Sequence, residues 1–290
     1  MAGKIQIPEE LKTGLPEGKW GKILAATPII MTVVATALAG LASSEMTHAQ
    51  YDRARAAQLQ SKAGDQWGYF QAKKMRSAMQ HDTLDLLQTV SPADPLDPTS
   101  ITGQPDDVAN ALLTGNLPAA PALALDPAVK AALDAVESSA PDAQVFALLA
   151  KVKDADLAAA LTSAQARALA FDASLKPVIK GIDALEVISP TPHAFRAARL
   201  RFQAARYDME ASLNGTIANL YELQVRKGNL SAERHHRRSG KFFYGMLVAQ
   251  MGVIISTFAM AARKHSVLWS MAAAAGLAAV SFAAYVFLCM

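Results

Sequence analysis

The chain has one cysteine in 290 residues, Cys289. An intrachain disulfide is therefore excluded, and the fold owes nothing to cross-linking. Charge is absent from three stretches, about Ile23 to Ser43, Phe242 to Ala262 and Ser266 to Met290. A helix rising about 1.5 Å per residue needs about 20 residues to cross about 30 Å of hydrocarbon, so each stretch is long enough to span. Their lack of Asp, Glu, Lys and Arg argues against a proton relay, a charge-coupled transporter or a voltage sensor. Three kinds of catalytic context are also missing: a Gly-x-Ser-x-Gly elbow, a glycine-rich phosphate loop and a spaced Cys/His set. These absences predict no enzyme, no metal and no cofactor; an uncharacterised membrane enzyme is the remote alternative.

What is present is an asymmetric charge distribution. Net charge is only +3, yet residues 91–194 hold 13 acidic against 6 basic residues. The remainder is correspondingly basic, so an acidic insert sits in a basic frame. Anionic lipid headgroups account for basic flanks beside membrane spans, and no nucleic-acid motif accompanies the charge. The expected partners are membrane lipids and protein, not nucleic acid. Ala37-Leu38-Ala39 resembles a cleavage site. A tail of 22 residues and an apolar run of about 20 fit an anchor better than a signal peptide.

Between the first and second apolar stretches the sequence reads as helix, insert and helix. From Glu45 to Thr89 there is no proline, and Ala49, Ala56, Ala63 and Phe70 recur every seventh residue. Thr191-Pro192 is a helix start, with threonine as cap and proline at the first helical position. Phe195, Phe202, Met209, Thr216, Leu223 and Leu230 then repeat at seven. Asn214-Gly215 and Gly228-Asn229 are expected to bend or break this second helix.

The intervening Ser91–Pro98 segment is punctuated by proline, and short capped helices are expected to follow it. They fall at 105–113, 126–137, 141–151, 154–171 and 177–187, with Asp126-Pro127 and Ser174–Pro177 as start signals. The predicted fold is an all-α membrane protein. It has three transmembrane helices, a long antiparallel coiled-coil-like stalk and a small helical insert. The corresponding domains are a tail at 1–22, spans at 23–43, 242–262 and 266–290, stalk helices at 44–90 and 192–241, the insert at 91–191 and a basic turn at 263–265.

One segment has a distinctive composition: Gly64-Asp65-Gln66-Trp67-Gly68-Tyr69-Phe70-Gln71-Ala72-Lys73. Gly64, Gly68 and Ala72 are four apart and form a small-residue stripe, which predicts close approach by the return helix or by a second subunit. Asp65 with Tyr69, and Tyr69 with Lys73, are spaced to interact along another side. An acid/base role for Asp65 and Lys73 is less economical than an interhelical hydrogen-bond network. The run resembles a motif of a bacterial membrane-protein family, domain-of-unknown-function family 4337. Asp65, Gln66, Trp67, Tyr69, Gln71, Ala72 and Lys73 are the matching residues. The resemblance covers roughly 20–90 and 195–290, and implies an N-terminal span and a two-span C-terminal hairpin. The acidic insert departs from the shorter family pattern.

His235-His236 point about 100° apart on a helix and lack further ligands, so a metal site is not expected. With Arg234, Arg237, Arg238 and Lys241 they form a basic collar for lipid headgroups. Gln250 is the costliest polar side chain in the second span and is expected to hydrogen-bond another helix. Ala272, Gly276, Ala279 and Ala283 give the third span a packing surface, as Thr36 and Gly40 do the first. Basic residues in the tail (Lys4, Lys12, Lys19, Lys22) and the turn (Arg263, Lys264) favour a cytoplasmic location for both. Residues 44–241 then lie in the periplasm of a bacterial inner membrane, although the collar argues for the reverse. The expected function is a non-enzymatic oligomeric scaffold or accessory subunit of a larger membrane complex. The alternative is an oligomeric channel gated by apolar constriction.

Overall fold

The computed structural model describes residues 19–91, 94–186, 192–261 and 267–289. The tail lysines Lys4 and Lys12, the cap Thr191 and the basic turn at 263–265 lie outside the described residues. The described chain is helical, without a strand. In order, α1 is Lys19–Val90, a 3-10 turn is Pro98–Ile101, α2 is Asp106–Thr114, α3 is Pro127–Glu137 and α4 is Asp142–Leu149. The chain continues as α5 Asp154–Glu186, α6 Pro192–Ala261 and α7 Val267–Cys289. Both α1 and α6 contain an apolar stretch long enough to cross a membrane; the apolar stretch in α7, Ser270–Val286, is shorter.

Two compact units divide the chain, and α1 and α6 each contribute to both. The first unit comprises Met1–Ala54 and Asn229–Met290. Its core joins α1 (Met31, Ala35, Leu38), α6 (Phe242, Ala249) and α7 (Ala279, Val286). Met31 is seated between Gly252 of α6 and Gly276 of α7, where an added Cβ would strike its thioether end. The small-residue side of α7 faces inward: Ala272 and Ala279 are buried, and Gly276 lies against Met31. Gly40, by contrast, faces open space.

The second unit is Arg55–Gly228. Here α1 and α6 run antiparallel, because Trp67, Lys73 and Ser77 meet Glu222, Glu210 and Ala204 in reverse order. The facing surfaces are small: Ala56 and Ala63 on α1, with Ala204, Ala211 and Ala218 on α6, all buried. Two further cores lie on other sides of α6. One gathers Val129, Leu133, Val145, Leu149 and Leu157 around Leu220 and Leu223. The other gathers Ile101, Val108, Leu112, Phe171 and Leu175 around Phe195 and Phe202.

Several expectations change. The Phe195–Phe202–Leu223 repeat packs into the insert's cores, and the alanine repeat two residues along, about 200° round the helix, meets α1. Helices expected at 154–171 and 177–187 are one helix, α5, with Pro177 inside it. An interior proline costs about 3 kcal/mol. Phe171, Leu175, Val178, Ile182 and Leu185 flank it at spacings of three or four and are all buried, which offsets that cost. In the same way α6 continues unbroken through Gly215 and Gly228.

Candidate functional site

Trp67, Phe70 and Lys73 recur every third residue on α1, and Ser77 follows one turn later, so the four lie along one side of the helix. Trp67 Nε1 donates to Glu222 Oε1 at 2.9 Å, and its ring meets Phe70 edge-on at 5.3 Å. Phe70 lies over Gly215, where an added Cβ would stand 3.2 Å from the ring. Lys73 pairs with Glu210, whose other oxygen accepts from Arg206 Nε at 2.6 Å. Glu210 is only 5% exposed, and those two cations are its ion-pair partners. The Tyr207 ring carries Lys73 at 5.3 Å and Arg206 at 5.3 Å. Ser77 Oγ donates to the Ala204 carbonyl at 3.1 Å, which requires the two backbones to be close. Beside it, Lys74 bonds Asp208 at 2.8 Å and holds that carboxyl below the usual carboxylate range.

Of the motif's other residues Gln66 is half-buried, and most of the rest face outward. Gly64, Asp65, Gly68, Tyr69 and Ala72 are exposed, and an added Cβ at Gly64 or Gly68 meets nothing within 4 Å. The expected close approach of the return helix at that stripe is therefore corrected. It occurs at the Ala56–Ala63 seam and at Gly215, because Gly68 stands about 200° round the helix from Phe70. Lys73 takes Glu210 rather than lying along Tyr69 and Asp65.

A cleft of about 320 Å³ adjoins Glu210 and is lined also by Lys73, Arg206, Lys176, Asp172, Asn214 and Leu213. No serine, cysteine or histidine lines it. Such a lining can hold a charged group by ion pairing.

In the first unit the basic collar is organised by Glu45, which sequence reasoning passed over. Its carboxylate faces His235 Nδ1 and lies 3.5 Å from Arg238. His48 stacks on His235 at 5.3 Å. Glu45 follows Leu38 by seven residues, the signal that could have marked it as inward-facing. Arg237 bonds Glu233 at 2.8 Å, Lys241 sits 5.9 Å from the Tyr285 ring, and Arg234 is exposed. Ser239 Oγ donates to the Ala42 carbonyl at 2.7 Å. Gln250 is exposed and makes no hydrogen bond to a described residue; Gly276 is buried against Met31. Among the described residues no group of three His, Cys, Asp or Glu side chains is placed to hold a metal ion.

These features define an all-helical protein with two helices apolar and long enough for a membrane, and with helix-packing contacts in each unit. Residues 20–108 match the family model of a domain of unknown function (DUF4337), the family that the Trp67 motif resembles. The match covers α1 and the beginning of the insert and ends within α2. No curated protein and no solved structure matches the chain.

Proposed function

We propose that the protein is a non-enzymatic scaffold or accessory subunit of a bacterial inner-membrane complex, assembled with further copies or with other subunits. In this reading α1, α6 and α7 each contribute a span, and the paired α1 and α6 form a coiled-coil-like stalk that presents the acidic helical insert to a partner. The observation that carries it is the outer side of α1 in the second unit. Met75, Met79, Leu86 and Val90 are 67%, 59%, 64% and 76% exposed and follow Gly68 and Ala72 at helical spacing. A water-soluble surface seldom leaves such a line of large apolar side chains bare unless another surface covers it.

The first unit supports the membrane part of the reading. Ile30, Val33, Ile254, Phe258, Leu277 and Leu288 are bare on the outer sides of α1, α6 and α7, as lipid contact requires. The collar of Arg234, Arg237, Arg238 and Lys241 immediately precedes the α6 span, where headgroups would meet it. Basic residues in the tail and turn favour a cytoplasmic N-terminus with residues 44–241 in the periplasm. Co-purification from native membranes tests the proposal. A stoichiometric partner, or further copies of the chain, is expected; recovery as a lone chain that turns over a substrate would overturn it.

A further inference from the structure

We infer that Gln250 is the polar centre of a contact between two copies of this chain inside the membrane. The inference rests on the membrane reading above and adds the surface, the partner and the chemistry of the join. Gln250 lies near the middle of the uncharged run 242–262. Its side chain borders a groove of about 470 Å³ between α1 and α6, lined also by Thr32, Ala35, Thr36, Ala39 and Val253. Neither threonine supplies a hydrogen bond across the groove. Their hydroxyls donate within α1, Thr32 to the Pro28 carbonyl at 2.8 Å and Thr36 to the Thr32 carbonyl at 2.9 Å. The Gln250 amide makes no hydrogen bond to a described residue.

In water such an amide is satisfied by solvent. In hydrocarbon it has no solvent partner, and leaving it unpaired is strongly unfavourable. The missing partner must offer both an acceptor for the NH2 group and a donor for the carbonyl. A second Gln250 across a two-fold axis offers both, so the amide is its own complement, as a contact between identical surfaces requires. The threonine and alanine lining lets a second α6 span approach closely enough for the two amides to meet.

Cysteine cross-linking in native membranes tests this with the full chain carrying Cys289→Ser. Gln250→Cys should give a disulfide-linked dimer of the chain on mild oxidation. Val248→Cys, about 160° round the same helix, should give none. In vesicles of bacterial lipid, Gln250→Leu should weaken self-association about tenfold, the effect of losing the reciprocal pair of interhelical hydrogen bonds. Gln250→Asn, which keeps an amide, should restore part of it. Retention of dimer affinity by Gln250→Leu, or cross-linking of position 250 to another protein only, would overturn the inference. Alkaline carbonate extraction of the same membranes separates the two failures. A chain released by carbonate defeats the membrane reading as well, whereas a retained chain that does not cross-link defeats this inference alone.

Discussion

Substituting leucine at Gly68 and at Gly215 should have opposite consequences, although both glycines lie inside long helices. Replacing an interior helical glycine gains about 1 kcal/mol in helix propensity, a gain common to the two positions. At Gly68 a new Cβ meets nothing within 4 Å, so Gly68→Leu should leave the α1–α6 pairing intact and be neutral to stabilising. At Gly215 a Cβ would stand 3.2 and 3.4 Å from two atoms of the Phe70 ring. That ring is itself backed by Trp67, edge-on at 5.3 Å. Alanine there asks the ring to move by a few tenths of an ångström, so propensity and crowding should nearly cancel. Leucine adds three more carbons beside that ring, an overpacking cost of about 1–3 kcal/mol. The difference between the two leucine variants is that steric cost, since propensity cancels. Thermal unfolding of the full protein in mild detergent, followed by circular dichroism at matched concentration, reads the difference. Equal destabilisation by both variants would refute the assignment of the close approach to Gly215. A fall in native mass for Gly68→Leu, without a change in its melt, would mark the Gly68 side as an outer contact.

Glu210→Leu removes the shared counter-charge of Lys73 and Arg206, which are about one quarter exposed. It should cost about 2 kcal/mol in urea unfolding, with Glu210→Gln milder because an acceptor remains. Ser77→Val exchanges a hydroxyl bonded to the Ala204 carbonyl for a branched side chain in the tight seam, and should lower stability by about 1–3 kcal/mol. Asp208 is held below its ordinary pKa chiefly by the hydrogen bond from Lys74, so the pair's contribution is full above about pH 4 and fades as pH falls through the lower folded value. Both groups are about half exposed, so Asp208→Asn should lose less than about 1 kcal/mol near neutral pH and match the parent in acid, as paired unfolding curves at the two pH values would read.

Local features were the legible part of the sequence. Ala49, Ala56 and Ala63 announce an inward seam by spacing alone, and all three are buried. Asp126-Pro127 announces a helix start, and Asp126 Oδ1 indeed accepts from the Ala128 amide at 2.8 Å. Partnership between distant segments was not legible. Lys73 and Glu210 are 137 positions apart, and Glu45 and His235 are 190 apart. Only the register of α1 against α6 brings them together, and periodicity within each helix leaves that register open. The same limit misdirected the glycines: Gly64 and Gly68 show that a surface is smooth, without showing which backbone approaches it. Pro177 signals a boundary because proline breaks isolated helices, and burial of the surrounding apolar side chains overrides that tendency.

The central claim is that this helical chain works as part of a membrane assembly and not as a lone catalyst. Its most direct test is the mass of the particle released from native membranes under the mildest solubilisation, read by mass photometry or native electrophoresis. A particle of several chains, or of this chain with a stoichiometric partner, is expected. A homogeneous particle containing one chain and nothing else would contradict it.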